Sequence, residues 1–288
     1  MTSSKKNGTL YLIATPIGNF NDISYRAITT IKNAGYIAAE NTKHTLKLLN
    51  HLGIKAKLIS YNDHNEKTQA NYLLDILQQG QDIGMVSDAG TPLICDPGYT
   101  IVNIAREQGI KVVAIPGPCA LITALCASGM PTDRFSFLGF LPPTTSARQQ
   151  KLKEMQEYPY TWIVYEAPHR ILKSLTDMHK ILSPERHIII ARELTKTFET
   201  VHSGTIEKLL NILQNSKDEQ RGEFVVIVQG KLKSSEVKLK DKQLLSLLLD
   251  EMPIKKACAI VSETTGVSKK ILYQEALKLK DNRHIKMF

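Results

Sequence analysis

The chain has 288 residues, 42% hydrophobic and 23% charged, a globular composition long enough for two domains of ordinary size. No apolar run reaches about 18 residues, which argues against a transmembrane helix, and MTSSKKNG at the start has no signal-peptide core. The net charge of +9 suits either an anionic partner or a plain basic surface, and the excess is uneven: residues 231–288 hold 13 Lys/Arg against 7 Asp/Glu, a surplus of +6. Cys95, Cys119, Cys126 and Cys258 form no CxxC pair and sit in apolar or loop contexts. They read as reduced thiols of a cytoplasmic protein, with neither a disulfide frame nor a zinc site expected.

In chain order, the first 130 residues alternate between strand and helix. Short buried strands are predicted at Leu10–Ala14, Tyr36–Ala39, Leu58–Tyr61, Ile83–Ser87 and Val112–Ile115. Amphipathic helices lie between them. Ile23, Ala27, Ile31 and Ala34 recur at helical spacing, and NEKTQANYLLDILQQG stops at Gly80. This alternation predicts an α/β domain with a mostly parallel sheet covered on both faces. Near Pro131 the pattern restarts. Strands are expected at Phe135–Phe140, Thr161–Tyr165, His187–Ala191 and Phe224–Val228, with helices in SARQQ, HRILKSLTDMHKIL and TIEKLLNILQN. GKLKSSEVKLKDK reads as a linker. Beyond it, PIKKACAIVSETTG and VSKKILYQEALKL have the lengths and turn chemistry of a helix-turn-helix, or of a plain helical hairpin. The expected division is therefore 1–130, 131–230, and a linker with a helical extension at 231–288.

Four loops at strand ends carry the candidate chemistry. ATPIGNFND (14–22) lacks the GxGxxG of a dinucleotide fold. SDAGTPLICDPG (87–98) breaks off an apolar strand with two glycines, two prolines and two acids before a helix, the place where α/β proteins seat a ligand. IPGPCALITAL (115–125) leads into a helix of small residues. YEAPHR (165–170) gathers a carboxylate, an imidazole and a guanidinium within six residues. That suits acid–base work or phosphate holding, or else a helix start with Glu166 beside the dipole. ARELTKTFE (191–199) adds Arg192, Glu193 and Lys196, either functional or an exposed ion-pair face. There is no P-loop, HExxH or GxSxG, and the histidines show no ligand spacing.

TPIGNFNDIS, SDAGTPLICDPG, PGPCALITALCASG, FLGFLP, YEAPHR and ARELTKTFE, in this order, resemble the tetrapyrrole-methylase superfamily over about residues 8–230. More narrowly they look like its branch of bacterial 16S rRNA cytidine 2′-O-methyltransferases, and the helical tail is similar to that branch's extension. The resemblance implies two α/β domains with S-adenosylmethionine in the cleft between them, a homodimer, and the small ribosomal subunit as substrate. It places the donor on Pro16, Ile17, Gly18, Asp88, Ala89, Gly90, Thr91, Cys119, Ala120, Tyr165 and Ala191. Glu166 and His169 are the candidate catalytic groups. Arg170, Arg192 and Lys196, with Lys255, Lys256, Lys269 and Lys270 of the basic tail, are the candidates for holding RNA. No metal is called for, because the sulfonium methyl is already activated. The departures are Asn41 and Lys43, where the family usually carries Asp and Arg, and Cys95 and Cys119, where Ser is usual. Two other readings share the fold: a methylase of a small molecule such as a tetrapyrrole, and a non-catalytic RNA-binding protein.

Overall fold

The computed structural model describes residues 6–231, 237 and 239–285. They fall into two compact units, residues 1–156 with 160–229, and residues 157–159 with 230–288. None of their helices is long and apolar enough to cross a membrane.

The first unit opens with β1 (Thr9–Ile13), α1 (Tyr25–Asn33), β2 (Tyr36–Ala39), α2 (Thr42–Leu52), β3 (Lys57–Ser60), α3 (Glu66–Gln78), β4 (Ile83–Val86), α4 (Tyr99–Glu107), β5 (Lys111–Ile115) and α5 (Ala120–Ser128). The strands pair in the order β3-β2-β4-β1-β5, all parallel, as the βα alternation requires. One core contains Leu73, Leu77, Ile83 and Ile101, and a second contains Ile13, Ile31, Ile37 and Leu49. Burial of both faces is why the inner strands β2 and β4 read as continuous apolar runs. Helix α2 starts on Asn41, whose side-chain oxygen accepts from Lys43 and His44 N–H at 3.1 and 3.3 Å. Asn caps a helix about as well as Asp does, so the departure keeps the cap.

The chain continues through β6 (Phe135–Phe140), α6 (Thr145–Met155), β7 (Thr161–Glu166), α7 (Ile171–Leu182), β8 (His187–Arg192), β9 (Thr200–Thr205), α8 (Ile206–Asn215) and β10 (Phe224–Val228). This second sheet is mixed, in the order β6-β7-β10-β8-β9. Only β6 and β7 run parallel. Strand β9 was absent from the sequence expectation. It is an edge strand, TVHSGT, with no buried residue, so it lacks the apolar run that marks its neighbours. A third core joins α5 to this sheet through Leu121, Leu125, Ile163, Ile189 and Val225, with Ile17 from the first loop.

The second unit holds α9 (Leu239–Glu251), α10 (Ile254–Thr265) and α11 (Lys269–Ile285). Leu245, Leu249, Ala257, Val261, Val267, Leu272 and Ala276 make its core, and Lys242 pairs with Glu275 at 2.6 Å to tie α9 to α11. Gly266 closes α10 at φ 71° and donates to the Ser262 carbonyl, so a left-handed residue makes the sharp turn between the two helices. Of the expected linker, residues 232–236 and 238 lie outside the described residues, and its last four residues, 239–242, already belong to α9.

Candidate functional site

Strands β4, β1 and β5 are neighbours, so the loops at their carboxyl ends are neighbours too. Thr15 and Gly90 exchange backbone hydrogen bonds at 2.8 and 3.0 Å, tying the first loop to the second. The Thr91 hydroxyl donates to the Pro118 carbonyl at 3.0 Å, tying the second to the third. From the other sheet, the Tyr165 hydroxyl accepts from Leu121 N–H at 3.1 Å. It thus caps α5, whose N-cap residue Cys119 makes no side-chain cap bond of its own.

These loops enclose a cavity of about 410 Å³, a size that suits a small organic ligand. Its walls include Ile17, Asp88, Ala89, Gly90, Thr91, Cys119, Ala120, Tyr165 and Glu166, all candidates from the sequence. Pro16, Gly18 and Ala191 do not line it. Ala191 lies in the core beneath. Gly18 marks a close approach instead: a Cβ there would fall 2.5 Å from Lys196 Cγ and 2.9 Å from Thr195 Oγ1. The cavity also takes in Glu40, Ile94, Cys95, Asp96, Phe140, Leu194 and Glu223, which the sequence reading did not place there as ligand residues. Glu40 was detectable in principle, since it follows β2 as Asp88 nearly follows β4. Glu223 was not, because it precedes its strand. It reaches the site only because β10 runs antiparallel to β7, setting Phe224 opposite Glu166.

The loop backbone is contorted here. Leu93 and Cys95 have φ of 72° and 67°, Gly90 and Gly98 of 83° and 137°, and Glu193 and Thr195 across the cleft 52° and 65°. Non-glycine residues rarely hold such angles, and they gather at ligand sites.

Acid charge is concentrated on one wall. Burial, with the nearby charges of Glu40, Asp88 and Asp63, pushes the Asp96 carboxyl up to about 6, tempered by the Ser87 hydroxyl. Burial also raises Glu40, and the Asp88 charge adds to this, although its Oε2 accepts from Asp88 N–H at 3.2 Å. Asp88 Oδ1 is buried with no partner. Such a wall fits a cation or a hydroxyl donor.

Glu166 is buried and fully engaged. Oε1 accepts from Ala167 N–H at 2.9 Å and pairs with Arg170 Nε at 3.2 Å, while Oε2 accepts from the Ser174 hydroxyl. Arg170 also donates to the Leu141 and Pro142 carbonyls, holding the segment that follows Phe140. His169 is exposed on the same loop. Arg192 is buried, and its guanidinium donates to the Asp218 and Arg221 carbonyls and pairs with Glu219, so internal partners occupy it. Lys196 reaches Glu193 at 2.9 Å and Glu223 at 3.0 Å. Burial opposes the effect, but these two carboxylates hold its ammonium above the usual lysine value. Lys255, Lys256, Lys269 and Lys270 are exposed on the separate tail unit.

The model of the Tetrapyrrole (Corrin/Porphyrin) Methylases matches residues 9–210, and the chain belongs to that family. The model of the RsmI C-terminal HTH domain matches residues 238–280. The ribosomal RNA small subunit methyltransferase I of Pseudomonas aeruginosa is 47% identical over 274 residues, spanning 94% of this chain and 97% of that protein. That of Haemophilus influenzae is 49% identical over 273 residues, spanning 94% and 96%. Within the tetrapyrrole methylases, these likenesses put the chain in the ribosomal RNA small subunit methyltransferase I family. Among solved structures, a uroporphyrin-III C-methyl transferase from Thermus thermophilus complexed with S-adenyl homocysteine matches at TM-score 0.55 and 16% identity, covering 77% of this chain and 97% of that one. A cobalt precorrin-4 methyltransferase matches at TM-score 0.57 and 14% identity, covering 77% and 94%. At these identities the likeness is one of fold.

Proposed function

We propose that the chain transfers a methyl group from S-adenosylmethionine to the 2′-oxygen of a cytidine in 16S rRNA, acting on the small ribosomal subunit. Near-full-length identity to proteins named for small-subunit rRNA methylation carries the reading. The cleft agrees with the donor. Backbone-rich loops with glycine at φ 83° let the chain lie close to a ligand, and the acid wall with its unpartnered Asp88 oxygen suits a molecule bearing an ammonium, a sulfonium and ribose hydroxyls. When bound, the donor supplies an already electrophilic methyl carbon, so the protein's task is orientation and proton removal.

Within this reading Glu166 is a positioning residue, because its oxygens are occupied by donors of its own loop and helix. His169, exposed on the same loop, takes the 2′-hydroxyl proton. Lys196, braced by Glu193 and Glu223, and Arg170 face RNA phosphate. The 131–230 segment carries these groups, residues 1–130 carry most donor loops, and the protein works as a cytoplasmic homodimer. His169→Ala is expected to lower kcat at least about tenfold with little change in donor affinity. Equal losses in both would move His169 into the donor pocket.

Gly90→Val is expected to weaken S-adenosylmethionine binding about tenfold or more by calorimetry. A Cβ there would stand 3.3 Å from Ile17 Cγ2 on a backbone that L-residues rarely adopt. Affinity should also depend on pH. Asp96 is neutral below its raised value and ionises as pH climbs through about 6, so a cationic donor binds more tightly above that point and more weakly below it. Asp96→Asn flattens the profile, and an unchanged slope in that variant removes Asp96 from the donor wall. The function itself is tested by incubating the protein with methyl-labelled S-adenosylmethionine and unmodified small subunits, then mapping the label. Label on a base, or on a tetrapyrrole in place of RNA, overturns it.

A further inference from the structure

We propose that the half-exposed ring of Phe140 is the surface on which the base of the acceptor nucleotide stacks, so that its ribose is held at the cavity. The inference deepens the rRNA 2′-O-methylation reading above and rests on it.

Of the exposed aromatic residues among the described ones, Phe140 alone lines the cavity, and it is 51% exposed. The strand is bent to put it there. Between the pairings Phe137–Ile163 and Phe140–Tyr165, β6 advances by one residue more than β7, which makes a bulge. Residues 137 and 140 would face opposite sides of a regular strand. Yet both phenyl rings meet the Tyr165 ring, at 4.8 and 5.8 Å between centroids. Gly139 allows the bulge with φ 65°, and a Cβ there would stand 3.3 Å from Cys95 Sγ. Past the ring, Arg170 donates to the Leu141 and Pro142 carbonyls and the buried Arg148 to the Pro143 carbonyl. The bulge thus aims the ring and the two guanidinium groups fix the chain behind it. The T-shaped contact with Tyr165 covers only part of Phe140, and half of the residue stays open to a flat partner.

The flat partner is a nucleobase of RNA. Bases drawn out of their own stack are held on aromatic side chains. Phe140 ends a strand of the second sheet, and Arg170 ties the segment after it to the loop that carries His169. The donor candidates Asp88, Gly90 and Thr91 come instead from a loop of the first sheet. A nucleotide stacked on Phe140 therefore lies on the side of the cleft where its 2′-hydroxyl proton is taken. Every base offers a π face, so this contact positions the nucleotide and does not select cytidine.

The test uses the full chain and measures methylation of unmodified small subunits, S-adenosylhomocysteine affinity by calorimetry, and melting temperature. Phe140→Leu keeps an apolar wall and removes the ring. Its kcat/KM for small subunits is expected to fall about tenfold or more, while S-adenosylhomocysteine affinity changes by less than about threefold. Phe140→Trp returns a ring and should recover most of that loss. Trp162 is fully buried, so the added indole reports on the cleft, and its fluorescence should be quenched by a short single-stranded RNA containing cytidine. A leucine variant within about twofold of the unaltered protein overturns the proposal. So does an equal loss of S-adenosylhomocysteine affinity, which would put the ring on the donor. If the leucine variant melts well below the unaltered protein, the tryptophan variant decides, and an unquenched indole overturns the stacking role. An unaltered protein that puts no label on small subunits overturns the methylation reading itself, and the stacking role with it.

Discussion

Arg148→Ala is expected to lower the unfolding free energy by about 3–5 kcal/mol, measured by urea denaturation. Arg148 and Asp177 form a buried pair, their side chains 3% and 6% exposed, with Nη2 to Oδ2 at 2.6 Å and Nε to Oδ2 at 2.7 Å. The guanidinium also donates to the Pro143 carbonyl at 3.2 Å. Alanine removes the cation and leaves the Asp177 charge in the interior, with the Gln149 amide donating to Oδ1 at 2.8 Å. An uncompensated buried charge is the costly product, so replacing both partners, Arg148→Met with Asp177→Leu, should be much milder. A single-variant loss under about 1 kcal/mol would show that water or repacking rescues Asp177. The effect reaches the cleft as well. The segment after Phe140 is held by Arg148 and Arg170 together, and Phe140 lines the cavity, so a folded Arg148→Ala protein should bind the donor less well.

Changing Lys255, Lys256, Lys269 and Lys270 together to glutamine is expected to cut small-subunit affinity by tenfold or more at low salt. The salt dependence should become shallower by about three in log–log slope, since each phosphate neutralised contributes about 0.7–0.9. All four side chains are exposed and flank the turn at Gly266. Donor affinity should not change, because the cavity is lined wholly by residues of the other compact unit. An unchanged melting temperature would separate loss of RNA contact from loss of packing. Full affinity with an unchanged salt slope would sink the RNA-holding role of the tail.

Much of the α/β body was legible residue by residue. Tyr36–Ala39 and Phe224–Val228 were expected at their observed limits, because a strand buried on both faces is an uninterrupted apolar run whatever lies beside it, and Phe135–Phe140 was expected too because this edge strand still carries four apolar side chains among its six residues. Strand β9 was not legible, since an edge strand facing solvent carries no such run. The loops that line the cavity were picked out because glycine and proline after a strand report a backbone that ordinary residues avoid, and Gly90 and Gly98 do hold positive φ.

The role of each charged side chain was a different matter. YEAPHR and RELTK announce polar groups near a strand end, yet spacing along the chain cannot say which neighbours will satisfy them. Glu166 proved to be held by Ala167, Ser174 and Arg170, and Arg192 by carbonyls some 26 and 29 residues away. Glu223 entered the cleft because its strand runs antiparallel to β7, and strand direction within a mixed sheet leaves no mark on composition. Local propensity and periodicity thus determined most of the elements and the strand-end loops, while the ordered motifs carried the family resemblance. Partners, burial and charge balance depend on contacts between distant residues, and only the packed tertiary structure decided them.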